Sequence, residues 1–212
     1  GSVVANSVEI TSSTRLNNDH GHIVATQGDL DIKQGEVLNH AGQLSARKNL
    51  NIDADSLDNQ GGILGGETID LTLAGLLGNA SGLIEAGERL DITTGSLSNT
   101  AGKLRALGQS GKSQFTIGGL FNNDSGLVEI GNAQFVLSSQ GLSNQTGTVR
   151  HVGNQGFGLA LADAGQAGGS FITNGELSLD VANWSNSSLL QAQKLTLKVG
   201  TFTQTATGKL LS

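Results

Sequence analysis

The sequence predicts an all-β fold: a right-handed parallel β-helix, or solenoid, of about ten coils with roughly 20 residues per coil and an inward Asn ladder. A six-residue motif, an apolar residue, any residue, Asn, two residues and Gly, recurs about once every 20 residues. Short alternating apolar segments lie between the copies. The chain of 212 residues has 32 Gly and no Pro, which suits tight corners and strands whose backbone N–H groups are hydrogen bonded.

The motif asparagines are the first element to justify. A buried amide is costly unless it is hydrogen bonded, but identical amides stacked above and below one another can bond along the axis of the solenoid. We expect Gly, three residues after Asn, to permit the turn. The predicted structural ladder comprises Asn18, Asn39, Asn59, Asn79, Asn99, Asn123, Asn144, Gln166 and Asn186.

The apolar columns come next in each unit. The residue two positions beyond the motif glycine is apolar in every copy, from Ile23 to Leu210, so this column is predicted to point inward. A second strand of period two follows, with Leu30 and Ile32 as its pattern; Phe115 and Ile117 are matched with Phe135 and Leu137. No window has helical periodicity. Leucine-rich repeats need a helical return and propeller blades need about forty residues, so neither fits.

The predicted organisation is one β-helix domain over residues 3–212, a fragment of a longer protein, after a cloning remnant at residues 1–2. Coils 3–152 are regular and coils 153–212 are less so. The period breaks at 107–113 and 153–169, where we expect surface loops. These are either tolerated insertions or binding loops, and the candidate partner contacts are Gln109, Ser110, Lys112, Gln155 and Phe157.

Charge and composition exclude several partners. A net charge of −6 and a pI near 5.1 disfavour nucleic acid, whose phosphates need a basic surface. No apolar run is long enough to span a membrane, so the chain is not expected to be membrane-inserted. It has no cysteine, hence no disulfide and no thiolate metal site.

No catalytic, cofactor-binding or metal-binding residue is assigned. Glu9, Asp31, Asn51, Asp70 and Asp91 should form one outward column, ended by Thr116, and we interpret it as a solvated stripe rather than a calcium or glycosidase site. His20, His22 and His40 lie near one corner but differ in phase, which disfavours zinc or nickel. His151 is predicted to be a buried, hydrogen-bonded histidine, and Trp184 to fill the core.

The repeat unit resembles that of a known family. The segment Gly95-Ser96-Leu97-Ser98-Asn99-Thr100-Ala101-Gly102-Lys103-Leu104-Arg105-Ala106 is similar to the filamentous haemagglutinin repeat of two-partner-secreted exoproteins. The resemblance covers residues 16–152 well and 164–212 weakly. It implies secretion through an outer-membrane partner and display on the cell surface of a Gram-negative bacterium. The family includes adhesins and contact-dependent growth inhibition toxins, and both branches stay open at this stage.

The leading hypothesis is therefore a non-enzymatic rod segment, without cofactors, that presents a receptor-binding or toxin region. The first alternative is a module that itself binds a receptor, on a target bacterium or host cell, or a host glycan. The second is a β-helical polysaccharide hydrolase or lyase, which scarce aromatic residues disfavour. Because both ends of such a rod expose unpaired strand edges, end-to-end self-association is also expected.

Overall fold

The computed structural model describes residues 1–163 and 167–212, and these residues form strands and corners without a helix. Period-two alternation and frequent glycine corners account for this. The strands are β1 Ser2–Ala5, β2 Val8–Thr11, β3 Arg15–Asn17, β4 His22–Ala25, β5 Leu30–Leu38, β6 Gln43–Ala46, β7 Asn49–Asp58, β8 Ile63–Leu73, β9 Leu76–Gly78, β10 Leu83–Thr94, β11 Ser96–Ser98, β12 Lys103–Ala106, β13 Lys112–Asn122, β14 Leu127–Ile130, β15 Gln134–Ser143, β16 Thr148–His151, β17 Gly156–Asp163, β18 Ser170–Thr173, β19 Glu176–Asn186, β20 Leu189–Gln191, β21 Lys194–Gln204 and β22 Lys209–Leu211.

Every strand pairs in parallel with its counterpart one coil away, as in β4 with β6 and β5 with β7. The chain is thus a parallel β-solenoid of about ten turns, which confirms the predicted fold class. At about 4.8 Å per coil the rod is roughly 45 to 50 Å long. Each coil has three faces. The first face follows the motif glycine, the second carries the period-two strand, and the third carries the apolar residue of the motif.

The core is a stack of columns. The column on the first face is buried from Ile23 to Leu190, as predicted, whereas Leu210 is 41% exposed because it lies in the last coil of this chain. Leu, Ile and Val fill the N-terminal coils. Aromatic rings fill the later ones: Phe135 packs edge-on against Phe115, with ring centroids 5.0 Å apart, and stacks on Phe157 at 4.9 Å. Trp184 is 1% exposed and contacts Phe171, which confirms its core position.

The insertion expected at 107–113 is divided between two corners of the coil, which changes the predicted strand register. Gln114 pairs with Asp91, 23 residues earlier, and Phe121 pairs with Leu97, 24 residues earlier. Compared with the 20-residue spacing of β10 and β12, this coil contains four extra residues. Three of them precede Gln114, and the fourth lies in the corner that follows Ile117. Consequently Phe115 pairs with Leu137 and not with Phe135.

The segment 153–169 was expected to be a surface loop, but residues 156–163 form β17 in register with β15. Phe157 and Leu159 continue the core columns there, and both are buried. Glycine at alternate outward positions hid the period-two pattern in the sequence.

Candidate functional site

The Asn ladder is the longest chemical feature that runs through the rod. The side chain of each ladder Asn donates a hydrogen bond from Nδ2 to Oδ1 of the Asn one coil later, at 2.7 to 2.8 Å, from Asn18 through to Asn144. Each Nδ2 also donates to the carbonyl oxygen of the glycine three residues later in its own coil. All amides point the same way, so the ladder is a directional hydrogen-bonded chain.

Towards the C-terminus the ladder changes. Gln166 lies outside the described residues. Asn186 donates to Oε1 of Gln204 at 3.1 Å, while its own Oδ1 accepts bonds from the Trp184 ring N–H and from the Ser188 backbone. Asn186 is buried, so its amide joins coils as the earlier ones do.

The motif glycine has a different role from the one expected. The residue that adopts the left-handed conformation is the one before it: His20, Ala41, Gly61, Ser81, Ala101, Ser125 and Thr146 have φ between 47° and 62°. A Cβ on the following glycine would lie within 3.0 Å of the motif Asn, and from Gly42 onward also of the carbonyl of the Asn one coil earlier. Glycine is therefore needed for space beside the ladder, not for its φ.

Four of the five candidate partner contacts lie at corners that stack along the rod. Gln109, Ser110, Lys112 and Gln155 are exposed and lie at the corners that lead from the first face to the second face. The backbone N–H of Gln134 donates to the Gly111 carbonyl, and the Gln134 side chain donates to Oε1 of Gln155 at 3.1 Å, so these corners stack along the rod. Phe157 must be corrected: it is fully buried between coils, so it cannot contact a partner.

Asn132 anchors this corner, and sequence reasoning missed it. Its buried side chain donates to the carbonyl oxygens of Glu88 at 2.9 Å and Ser110 at 2.7 Å, and accepts from the Ser113 hydroxyl at 2.7 Å. The loop at 107–111 is thereby held against its neighbours in the coils on either side. Asn132 falls outside the motif column, so its only sequence signal is a polar residue directly after the Gly131 corner.

A groove of about 520 Å³ lies beside the loop. Its lining includes Gly66, Gly87, Arg47, Glu88 and Leu107, and Leu107 is 44% exposed. Small residues at consecutive corners create this concavity because they leave no side chain over the backbone. Leu107, the first residue of the loop at 107–111, belongs to the lining of this groove.

The acidic column of the second face is neutralised in part by neighbours. Asp31 accepts from the Asn51 amide at 2.7 Å, and the Arg89 guanidinium bridges Asp70 and Asp91 at 3.0 and 2.9 Å. Burial raises the pKa of Asp91, although the Gln114 backbone N–H and Arg89 oppose this. Gln114, not Thr116, continues the column beyond Asp91, as a result of the register described above.

The outward column of the first face contains a similar bridge. Arg105 binds Glu85 at 2.6 Å and Glu129 at 3.1 Å, so opposite charges alternate across three coils. These side chains are about one-third exposed, which limits their contribution to stability.

His40 is clamped between two carboxylates from neighbouring coils. Its Nδ1 lies 3.0 Å from Asp19 and its Nε2 lies 2.8 Å from Asp58. The hydrogen bond to Asp58 and the one to Asp19 raise the pKa of His40, against a smaller opposing effect of burial. Because both ring nitrogens face carboxylates of different coils, they connect coils rather than converge with His20 on one point. Among residues 1–163 and 167–212, no three potential ligands are grouped for a metal ion.

The described residues contain no helix that could cross a membrane. His151 is fully buried with both ring nitrogens hydrogen bonded, to Asn132 and to Thr173, which confirms the prediction of a satisfied buried histidine.

Comparison with known proteins gives two matches. The family model described as haemagglutinin repeat matches residues 3–123. A protein named tRNA nuclease CdiA, from Escherichia coli (strain STEC_O31), is 31% identical over 196 residues, which is 84% of this chain and 6% of that protein. The chain thus spans a small part of the length of this relative. No solved structure matches significantly.

Proposed function

The chain belongs to the haemagglutinin repeat family and forms a β-solenoid rod segment of the kind found in filamentous exoproteins. From this premise we propose that it extends a secreted, cell-surface protein. In that protein it holds a receptor-binding or toxin region away from the producing cell. The observation that carries the proposal is the Asn ladder, which joins coil to coil from Asn18 to Asn123 within the family match. Such a chain resists bending and separation of coils, which is what a spacer requires.

The relative supports the toxin branch of this proposal. Its printed name describes a tRNA nuclease, and this chain matches 6% of its length. We place any nuclease activity outside this segment, since its conspicuous polar side chains are taken up in contacts between coils: the amides bond to one another and Arg89 bridges two of the acidic residues. A polysaccharide hydrolase or lyase needs a free pair of carboxylates, and the second face does not offer Asp70 and Asp91 as one.

Secretion as a two-partner system is part of the proposal. A cysteine-free, proline-free chain can cross an outer membrane unfolded and then stack coil on coil, with no disulfide or prolyl isomerisation to wait for. The partner in that step is an outer-membrane secretion protein, and the rod in turn faces a target bacterium or a host cell.

Deletion of whole coils tests the spacer function. In the full-length protein that carries this segment, removal of residues 59–98 brings Asn99 next to Asn39 and shortens the rod by two coils, about 10 Å. We expect surface display and recognition of target cells to persist. The matched control removes residues 59–88, which leaves half a coil and breaks the register, and we expect display to fail.

The second candidate function is direct binding by the stacked corners that contain Gln109, Ser110, Lys112 and Gln155, and the exposure of these four side chains favours it. Replacement of all four by Ala distinguishes the two functions. Unchanged cell binding with an unchanged melting temperature supports the spacer. Loss of binding with an unchanged melting temperature assigns recognition to this corner and overturns the spacer proposal.

A further inference from the structure

A second line of buried polar groups runs through the C-terminal half of the rod, separate from the Asn ladder. The backbone N–H of Leu90 donates to Ser113 Oγ at 3.0 Å, and the Ser113 hydroxyl donates to Asn132 Oδ1 at 2.7 Å. The His151 ring then joins the Asn132 carbonyl, at 2.8 Å, to the Thr173 hydroxyl, at 2.8 Å. This line crosses five successive coils.

The bonds determine where the ring proton of His151 lies. The Asn132 carbonyl can only accept, so His151 Nε2 carries the hydrogen and donates it. Nδ1 is then the acceptor of the Thr173 hydroxyl hydrogen, and Thr173 Oγ1 itself accepts from the Gly175 N–H at 3.1 Å. Every polar group of the line is satisfied with a neutral imidazole.

The surroundings oppose a charge on this ring. His151 is 0% exposed, and the rings of Phe135 and Phe157 lie 6.4 and 6.3 Å from it. Glu129 on β14 and Arg150 on β16 alternate with the inward residues, so their side chains are on the outer surface. Neighbouring β18 contributes Thr173 and Phe171 to the interior, and β15 and β17 contribute phenylalanines. In the described part of these elements, no titratable group faces the imidazole as a counter-ion.

We propose that His151 is an acid-sensitive link between coils: protonation of its ring reverses the bond to Thr173, leaves the Thr173 hydroxyl hydrogen without an acceptor and loosens β16 from β18, while the N-terminal coils stay packed. Once Nδ1 carries a hydrogen, Thr173 Oγ1 must accept it together with the Gly175 N–H, and the Thr173 hydroxyl hydrogen loses its acceptor. The buried charge adds its own desolvation penalty. The segment is thus a rod at neutral pH with a weak point that opens on acidification.

The stability of the contact between β16 and β18 depends on pH because the pKa of His151 differs between the packed and the opened coil. Burial lowers the pKa of His151, against the opposing hydrogen bonds to the backbone of Asn132 and Ala133. In an opened coil the ring titrates near its usual value of about 6.5. The stabilising contact is therefore fully present above that pH and is lost as the pH falls below it towards the folded-state value. Between pH 7.5 and 5.0 the opening equilibrium constant rises by up to about 30-fold, since each unit below 6.5 contributes about tenfold.

The contacts of His40 are expected to respond to acid in the opposite way to those of His151. His40 faces Asp19 and Asp58, so its pKa is raised and acid strengthens its contacts with neighbouring coils. The two ends of the segment are expected to respond to acid in opposite directions.

Hydrogen exchange at pH 7.5 and 5.0, corrected for the intrinsic rate, tests the proposal on the whole 212-residue chain. We expect the protection of β16 and β18 to fall by about 10- to 30-fold relative to β6 and β7. Trp184 fluorescence gives a second readout, because this single tryptophan packs against Phe171 of β18. His151→Gln, which keeps one donor and one acceptor but does not titrate, should remove the acid effect, whereas His40→Gln should leave it in place.

Equal protection of β16 at the two pH values, or the same loss in His151→Gln, overturns the proposal. Should His151→Gln fail to fold, an NMR titration of the four native imidazoles decides. A His151 ring that titrates below 6.5 in the folded chain supports the link, and one that titrates at or above 6.5 refutes it.

Discussion

At the scale of single residues, the motif glycine and the ladder Asn form one unit. Nδ2 of Asn99 donates to the carbonyl oxygen of Gly102 at 3.3 Å, and this bond requires the glycine backbone to lie directly beside the amide. A Cβ on Gly102 would overlap the Asn79 carbonyl of the neighbouring coil and the Asn99 side chain. Both obstacles are buried and fixed by hydrogen bonds, so neither can move away cheaply.

Gly102→Ala is therefore expected to lower the free energy of unfolding by about 1 to 3 kcal/mol, as overpacking of a fixed site does. The matched control is Gly65→Ala, where the nearest atom to the new Cβ is the Ser45 Cβ at 3.8 Å. Urea denaturation of both variants gives the comparison. Equal midpoints for Gly102→Ala and the parent chain would contradict the spatial role of the glycine.

At the scale of elements, the loop at 107–111 is an insertion that the fold absorbs without losing register. Gly111 takes up a left-handed conformation, with φ of 73°, and β13 resumes parallel pairing at Lys112. Asn132, one coil later, supplies the hydrogen bonds that the loop backbone lacks. A loop fixed in this way presents Gln109 and Ser110 in one arrangement, which suits either a passive surface or a preformed contact.

Asn132→Ala is expected to release the loop, because the Glu88 and Ser110 carbonyls lose their donor and the Ser113 hydroxyl loses its acceptor. The expected cost is about 1 to 3 kcal/mol of unfolding free energy, with faster hydrogen exchange at Lys112–Asn122. Asn154→Ala is the control, since Asn154 lies at the same corner of the following coil with an exposed side chain. A loop whose exchange rate is the same in both variants would show that Asn132 is dispensable.

At the scale of the whole molecule, the Asn ladder makes stability a property of neighbouring coils. Each coil contacts the coil before it and the coil after it, so the stability of a solenoid is a sum of coil and interface terms. The amide chain adds a directional term to every interface from Asn18 to Asn144. In contrast to the amide ladder, the buried His151 introduces an interface between coils that acid weakens.

Asn99→Ala interrupts the ladder of hydrogen-bonded amides near its centre. Asn79 Nδ2 loses its ladder acceptor and keeps only backbone carbonyls such as that of Gly82, and Asn123 Oδ1 loses its donor, so two buried amides lose hydrogen bonds. We expect a loss of about 1 to 3 kcal/mol in thermal or urea melts. Ser98→Ala, one position away on the outer surface, is expected to change stability by less than about 0.5 kcal/mol. An unchanged melt for Asn99→Ala would remove the ladder as a source of stability.

The repeat period and the alternation of apolar residues determined the parallel solenoid and the Asn ladder, because both are consequences of stacking identical coils. Leu97 and Asn99 were assigned to the interior correctly for that reason, whereas Gly102 was expected to permit a turn and instead leaves space beside the ladder. The candidate site was predicted less well: Gln109, Ser110 and Lys112 are exposed as expected, but Phe157 is in the core, where glycines at alternate positions concealed its strand.

The tertiary structure alone decided what depends on contacts between residues distant in sequence. It divided the insertion between two corners, which moved Gln114 into the place expected for Thr116. It also assigned the left-handed conformation to the residue before the motif glycine, and joined Ser113, Asn132, His151 and Thr173 into one buried line. A one-residue change of register reverses the face of every side chain in a strand, and no single unit of the repeat contains the information that sets it.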